Sequence, residues 1–436
     1  MTAPMPASIV IPTHNRAASV LAALEALERQ DCGAAAFEVI VVPNGCSDDT
    51  VARLRTRHSA LRLQVVSLEH ASASDARNAG AAAACGALVI FLDDDITPDR
   101  GFVHAHLAAH GARGGHAAGT SDRVAIGYLP ASLQPERDRF AIVLRGWWEA
   151  MFDRMREPGH RFGYTDLLSG NFSMSRERFL ALGGFDPSLA CHEDYELGYR
   201  LIRAGATFVF VEQASGRHDD RTRLPGACRR KREEGRADVR LAQLYPELRS
   251  VLPIAHASTP KQRTIRWLAF HWPAAGDRLA MLLAGTLPGL ERAGMVMAWL
   301  RVLYAVFGYW YARGLADALP THAALQRMME GAWRHELSAA DDIDVDLAGG
   351  IDDALRRVDA TRPMKVTLRV GSTVVGHVPY LPGTERIRSC HAAAALARLW
   401  HRPAFVALRA AGAIRLARAG PSGTDRPAHE PASLGG

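Results

Sequence analysis

The chain has 436 residues, 48% of them hydrophobic and 22% charged, with a net charge of +6, a soluble globular composition too long for one ordinary core. It lacks a basic start followed by an apolar leader stretch, and its six cysteines show no C-x-x-C spacing, which argues against secretion, a disulfide framework and a zinc site; a cytoplasmic location is expected. The absence of RRM, KH, zinc-finger and helix-turn-helix signatures argues against a nucleic-acid partner.

The first quarter alternates strand and helix. Ser8–Pro12 (SIVIP) reads as a strand, with Asn15 as the cap of a helix carrying Val20, Leu24 and Leu27. Phe37–Val42 is a second buried strand, followed by an Asn44-Gly45 turn and by Ser47 as the cap of a helix near Asp48. Leu63–Leu68 is a third strand, Ser74 or Asp75 opens an Ala-rich helix, and Leu88–Leu92 is a fourth strand ending in Asp93-Asp94-Asp95. Near-continuous apolar strands separated by helices imply a parallel sheet covered on both faces, with ligands at the strand carboxyl ends. Further on come a helical stretch within 127–165, a strand at Asn171–Ser175, a helix from Glu193 to Gly205 and a strand at Thr207–Val211. Residues 260–335 read as all-helical, 363–378 as a hairpin and 388–417 as helical, and the tail from Gly420 as disordered.

Two acidic groupings and two basic side chains carry chemistry. On an extended segment Asp93 and Asp95 face one way and Asp94 the other, so the strand end can hold Mg2+ or Mn2+, or act simply as an acidic turn. In the first turn of its helix Asp194 shares a face with Leu197 and Leu201, where the helix dipole keeps a carboxylate ionised and able to accept a proton. Arg77 can meet a phosphate or an acidic neighbour, and His218 can complete a metal shell or contact a diphosphate.

In this order the segments SIVIPTHNR, VVPNGCSDDT, ARNAG, LVIFLDDD, GNFSMSRERFLALGGFDPSL and HEDYELGYRLIRAG resemble the family 2 inverting glycosyltransferases of GT-A fold, from Ser8 to about Leu241. The resemblance implies an α/β nucleotide-diphospho-sugar transferase fold, with a mostly parallel central sheet and flanking helices. It implies a nucleotide-sugar donor, a glycan or lipid-linked acceptor and a divalent metal cofactor. Pro12, Thr13, Asn15 and Arg16 would line the nucleoside pocket with Asn44, and Arg77 would join the donor site. Asp93 would contact ribose or metal, Asp95 and His218 the metal; Gly170 and Asn171 would form the donor–acceptor floor, and Asp194 would be the general base. The family often has an acid where Pro43 stands, which leaves uridine a preference.

Domains are expected at 1–245 (transferase), 246–345 (helical), 346–419 (small α+β) and 420–436 (tail). The 20-residue run Ala293–Ala312, interrupted by Arg301, reads as a buried or interfacial helix pair more readily than as a span. With the basic stretch 217–240, which holds nine Lys/Arg against five Asp/Glu, it suggests peripheral contact with the inner face of the cytoplasmic membrane. Competing readings are a pyrophosphorylase, which wants a Gly-rich loop that SIVIPTHNR lacks, and a non-catalytic sugar-nucleotide-binding scaffold, which would need neither Asp95 nor Asp194.

Overall fold

The computed structural model describes residues 5–69, 72–111, 122–130, 139–256, 259–330, 337–400 and 406. The Gly420 tail and most of the expected 388–417 helix beyond Trp400 lie outside them. The contacts divide the chain into two units: Met1–Glu336 with Leu381–Arg386, and Leu337–Tyr380 with Ile387–Gly436.

The apolar runs at the start of the chain build one half of an eight-stranded sheet in the first unit. β1 (Ala7–Thr13), β2 (Phe37–Pro43), β3 (Arg62–Val65) and β4 (Leu88–Leu92) run parallel in the order β3-β2-β1-β4. Ile9, Val10, Val89, Ile90 and Phe91 are wholly buried, because helices cover both faces: α1 (Ala17–Glu28), α2 (Thr50–Thr56) and α3 (Ala73–Ala83). The short β5 (Ile96–Pro98) and the helix α4 (Phe102–Ala109) follow. β6 (Arg123–Tyr128), α5 (Arg139–Arg156), β7 (Asn171–Ser175), α6 (Arg176–Ala181), α7 (Glu193–Arg203) and β8 (Thr207–His218) complete the layer. β7 runs antiparallel to both β4 and β6, β8 pairs parallel with β6, and β5 pairs antiparallel with β8. Phe91 on β4 stacks on Phe172 of β7 at 4.8 Å and meets Phe179 and Phe185 at 4.9 and 5.4 Å, an aromatic knot beneath the strand ends.

Local chemistry moved three caps from their expected places. α1 is capped by Arg16, while Asn15 sits in the left-handed region (φ 52°) and its Oδ1 accepts from the Ser47 and Asp48 N–H groups, at 2.8 and 3.2 Å. Asp49, not Ser47, precedes α2. Ser72 opens α3 in a reciprocal box with Asp75. β8 outruns its apolar run: the polar Glu212–Gln213 stretch stands exposed at a register shift, and pairing resumes until His218 lies opposite Ile96.

Beyond β8 the first unit is helical: α8 (Leu224–Leu244), α9 (Pro260–His271), α10 (Pro273–Arg292), α11 (Val296–Ala318) and α12 (His322–Glu330). α8 and α11 approach so closely that a Cβ on Gly314 would strike the Arg232 carbonyl, so glycine is required there. Asp317 of α11 binds Arg232 and Arg236 of α8, at 2.5 and 2.6 Å, and also Arg313. Among the described residues no helix is long and apolar enough to cross a membrane.

The second unit holds a three-stranded sheet in the order β11-β10-β9. β9 (Asp342–Asp346) is parallel to β10 (Lys365–Val370), and β10 forms the expected hairpin with β11 (Thr373–Val378). α13 (Ile351–Thr361) and α14 (Ser389–Leu399) contribute Val358 and Leu396 to its separate core.

Candidate active site

The residues singled out in the sequence gather at the carboxyl ends of β1, β2 and β4. β4 stops at Leu92, and the Ile96 N–H returns to the Asp93 carbonyl at 3.2 Å, so the three aspartates lie in a turn. The expected alternation therefore fails, because a turn has no two-residue period. Asp94 and Asp95 share Arg16, whose Nη1 donates to both at 2.9 and 2.8 Å, while Asp93 faces Arg77 at 2.7 Å. Thr13 Oγ1 also donates to Asp94 at 2.6 Å, tying the β1 end to the β4 end. Burial pushes the Asp94 carboxyl up despite Thr13 and Arg16. Asp95 is partly buried, but His218 and Arg16 outweigh that desolvation and hold it below the usual range.

His218 arrives from the β8 end, with Nε2 3.3 Å from Asp95 Oδ1. The buried Arg145 of α5 donates to the Pro130 carbonyl at 2.8 Å and lies 3.4 Å from His218 Nδ1. The Asp95–His218 pair offers one oxygen and one nitrogen donor, with the Asp93 carboxylate on the same turn. That donor chemistry fits Mg2+ or Mn2+ held jointly with diphosphate oxygens and water. Among the described residues no cluster of three or more His, Cys, Asp or Glu stands ready to hold an ion by itself.

The floor comes from β7. The Asp93 N–H donates to the Gly170 carbonyl at 3.1 Å, and a Cβ on Gly170 would lie 2.7 Å from Asp93 Oδ2. Asn171 is wholly buried and its Nδ2 donates to the Ala214 carbonyl at 2.9 Å, which fixes Oδ1 as an acceptor toward His106 Nε2 at 3.0 Å. His106 Nδ1 then accepts from Ser173 Oγ, and Ser173 accepts from His110. Burial drives His106 down to about 3 and His110 to about 4, so both stay neutral beneath the floor.

Toward β2, the Asn44 N–H donates to the Thr13 carbonyl at 2.9 Å and its Nδ2 to the Ser72 carbonyl at 3.3 Å. Pro12 is partly exposed in β1, opposite Val42.

The acidic pair opens α7. Glu193 accepts from Arg77 at 3.2 Å, so one buried arginine joins the β4 turn to this helix. Asp194 Oδ1 accepts from the Tyr195 N–H at 2.9 Å, and Leu197 and Leu201 below it are wholly buried, as the spacing predicted. Desolvation and the adjacent Glu193 charge push the Asp194 carboxyl up to about 6, while His192 and Arg230 pull it the other way. His192, just before α7, holds a left-handed backbone (φ 60°), a conformation costing about 1–3 kcal/mol for a non-glycine residue. Its Nδ1 lies 3.0 Å from Asp238 of α8, and the Tyr311 hydroxyl of α11 donates to the other Asp238 oxygen at 2.5 Å. His192, Asp238, Tyr311, Arg145 and Arg230 were not singled out from sequence. Only the histidine's place before Glu-Asp offered a local signal.

Residues 8–181 match the sequence model of Glycosyl transferase family 2. Over 230 residues the chain is 31% identical to validoxylamine A glucosyltransferase of Streptomyces hygroscopicus subsp. jinggangensis, a match covering 48% of this chain and 54% of the relative. It therefore spans about half the length of that relative. It is 27% identical over 374 residues to the pre-mycofactocin glycosyltransferase of Mycobacterium tuberculosis, covering 80% of this chain and 72% of the other. A solved structure similar to it is the mannosyltransferase PcManGT from Pyrobaculum calidifontis in complex with GDP-Man and Mn2+, with a TM-score of 0.47, 17% identity, and coverage of 73% and 88%. The mixed sheet with flanking helices is of the GT-A kind that the sequence led us to expect.

Proposed function

We propose that the protein is an inverting glycosyltransferase, moving a sugar from a nucleotide-diphosphate donor to a hydroxyl of a glycan or lipid-linked acceptor in polysaccharide or glycolipid synthesis, with UDP-sugars preferred. The observation that carries this reading is Asp194, a carboxylate raised to about 6 at the start of α7 and joined through Glu193 and Arg77 to the Asp93 turn. A base of that strength is ionised at neutral pH yet basic enough to take a proton.

The acceptor hydroxyl gives its proton to Asp194 as its oxygen attacks the anomeric carbon. The bond from that carbon to the diphosphate oxygen breaks on the opposite face, and its electron pair leaves with the nucleotide. Pro12, Thr13, Asn15, Arg16 and Asn44 line the nucleoside side. Gly170 leaves the sugar room above a floor that Asn171 fixes from below. Arg77 orients Asp93 and Glu193 by its two ion pairs. Asp95 and His218, with Asp93, would hold a divalent cation, which supplies countercharge to the departing diphosphate when bound.

The test pairs calorimetry with turnover. Asp194→Asn should bind UDP with Mn2+ as the native protein does while losing at least about a thousandfold in transfer rate. Asp95→Ala should lose the metal dependence of UDP binding. Native-like turnover in Asp194→Asn would remove the base assignment.

A further inference from the structure

We infer that the α10–α11 hairpin docks this protein on a bilayer surface carrying anionic lipid, with α10 lying in the interface plane. α10 buries Gly276, Ala280 and Leu287 on its inner side. Its other side presents Leu279, Met281 (59% exposed) and Leu282 (71%). The hairpin tip adds Met295, Val296 and Met297 (63%), and Trp272, at 60%, stands just before α10. A soluble face seldom exposes so many large apolar side chains without a partner.

The exposed charges of α9, α10 and α11 share one sign. Lys261, Arg263, Arg278, Arg292 and Arg301 are exposed, and none makes an ion pair among the described residues. The acids of the same stretch are engaged inward. Asp277 accepts from the Tyr309 hydroxyl at 2.6 Å and faces Arg313 at 3.5 Å; Glu291 accepts from the Arg139 N–H at 2.9 Å; Asp317 is held by arginines. An apolar strip bordered by cations and tryptophan matches the headgroup boundary of an anionic leaflet, where a helix sinks its apolar side about 5–10 Å. A second copy of this chain would bring the same positive charges against these, which disfavours self-association through this face. No described helix can cross a membrane, so an in-plane pose is the one left to such a surface.

The experiment is flotation of the full chain with vesicles of phosphatidylcholine alone or of phosphatidylcholine with phosphatidylglycerol. The chain should float only with the anionic vesicles and be released by salt. Arg278→Gln with Arg301→Gln should weaken binding about thirtyfold, and Leu282→Ser with Met297→Ser about tenfold, with unchanged melting temperatures since all four side chains are exposed. The inference is overturned if the native chain stays unbound, if both double variants float like it, or if sedimentation reveals a dimer that Leu282→Ser dissolves. Vesicle binding needs no donor or acceptor, so its outcome is separable from that of the transferase assay.

Discussion

Asp194 meets two opposed demands. As the proposed base its carboxyl must ionise to accept a proton, yet its surroundings resist the charge. The acidic limb of kcat/KM should therefore fall near pH 6, and Arg230→Gln should move that limb upward, because the guanidinium lowers the Asp194 pKa. A limb indifferent to Arg230 would exclude it from the base's environment. The same shift affects stability. A carboxyl whose folded pKa lies above its unfolded value near 4 carries no differential below about pH 4, is increasingly penalised in the folded state as pH rises from about 4 to about 6, and bears the full penalty above that. Asp194→Asn should accordingly raise the melting temperature at about pH 8 and leave it nearly unchanged at about pH 4. Asp194 itself was legible, since two acids stand before a helical apolar period. Arg230 and Asp238 were not, because they lie some 36 to 44 positions away and come near Asp194 and its neighbour His192 only once α8 has folded. The Asp93–Asp95 alternation was misread for a different reason: a strand period was extended past the residue where the strand ends.

The meeting of β4 and β7 converts a sheet into a site. Gly170 lets the Asp93 carboxylate sit against the backbone, and Gly170→Ala would drive a Cβ to 2.7 Å from Asp93 Oδ2. That carboxylate would have to turn, so the substitution should cost about tenfold or more in kcat/KM while lowering stability by only about 1 kcal/mol. A circular-dichroism melt beside steady-state kinetics separates the two effects; a large loss of stability with intact turnover would refute the close-approach argument. The first strands were legible because β1, β2 and β4 carry near-continuous apolar runs. The continuation of β8 to His218 was hidden, since Glu212 and Gln213 interrupt the apolar run where the strand shifts register. The buried His106–Ser173–His110 chain was also hidden, because histidines in an Ala-rich helix read as surface residues until β7 covers them.

Across the first unit the helices after β8 bear directly on the site. Asp317 gathers Arg232 and Arg236 from α8, and these arginines in turn hold its carboxyl below the usual range despite burial. Asp317→Ala should cost about 2 kcal/mol, between an exposed pair and a buried one, and should speed amide exchange along α8 as well as α11. Exchange quickened in α11 alone would mean that the cluster does not couple the helices. The basic stretch was visible in the sequence, but its division was not: Arg232 and Arg236 pair with Asp317, while Arg230 lies 3.8 Å from Glu234 and within electrostatic reach of Asp194. In the second unit the hairpin was legible from its alternation and Gly371. β9 (DIDVD) was passed over because its three aspartates masked the buried Ile343 and Val345.

The Tyr311–Asp238–His192 relay has a consequence for inheritance. The strained residue before the base is steadied by a side chain from α8, which is steadied by one from α11. A crossover between related genes near residue 245 would join the proposed base to helices that do not supply the partners of its neighbour His192. The catalytic half and its helices through α11 should therefore pass between lineages, or between engineered chimeras, as a single block.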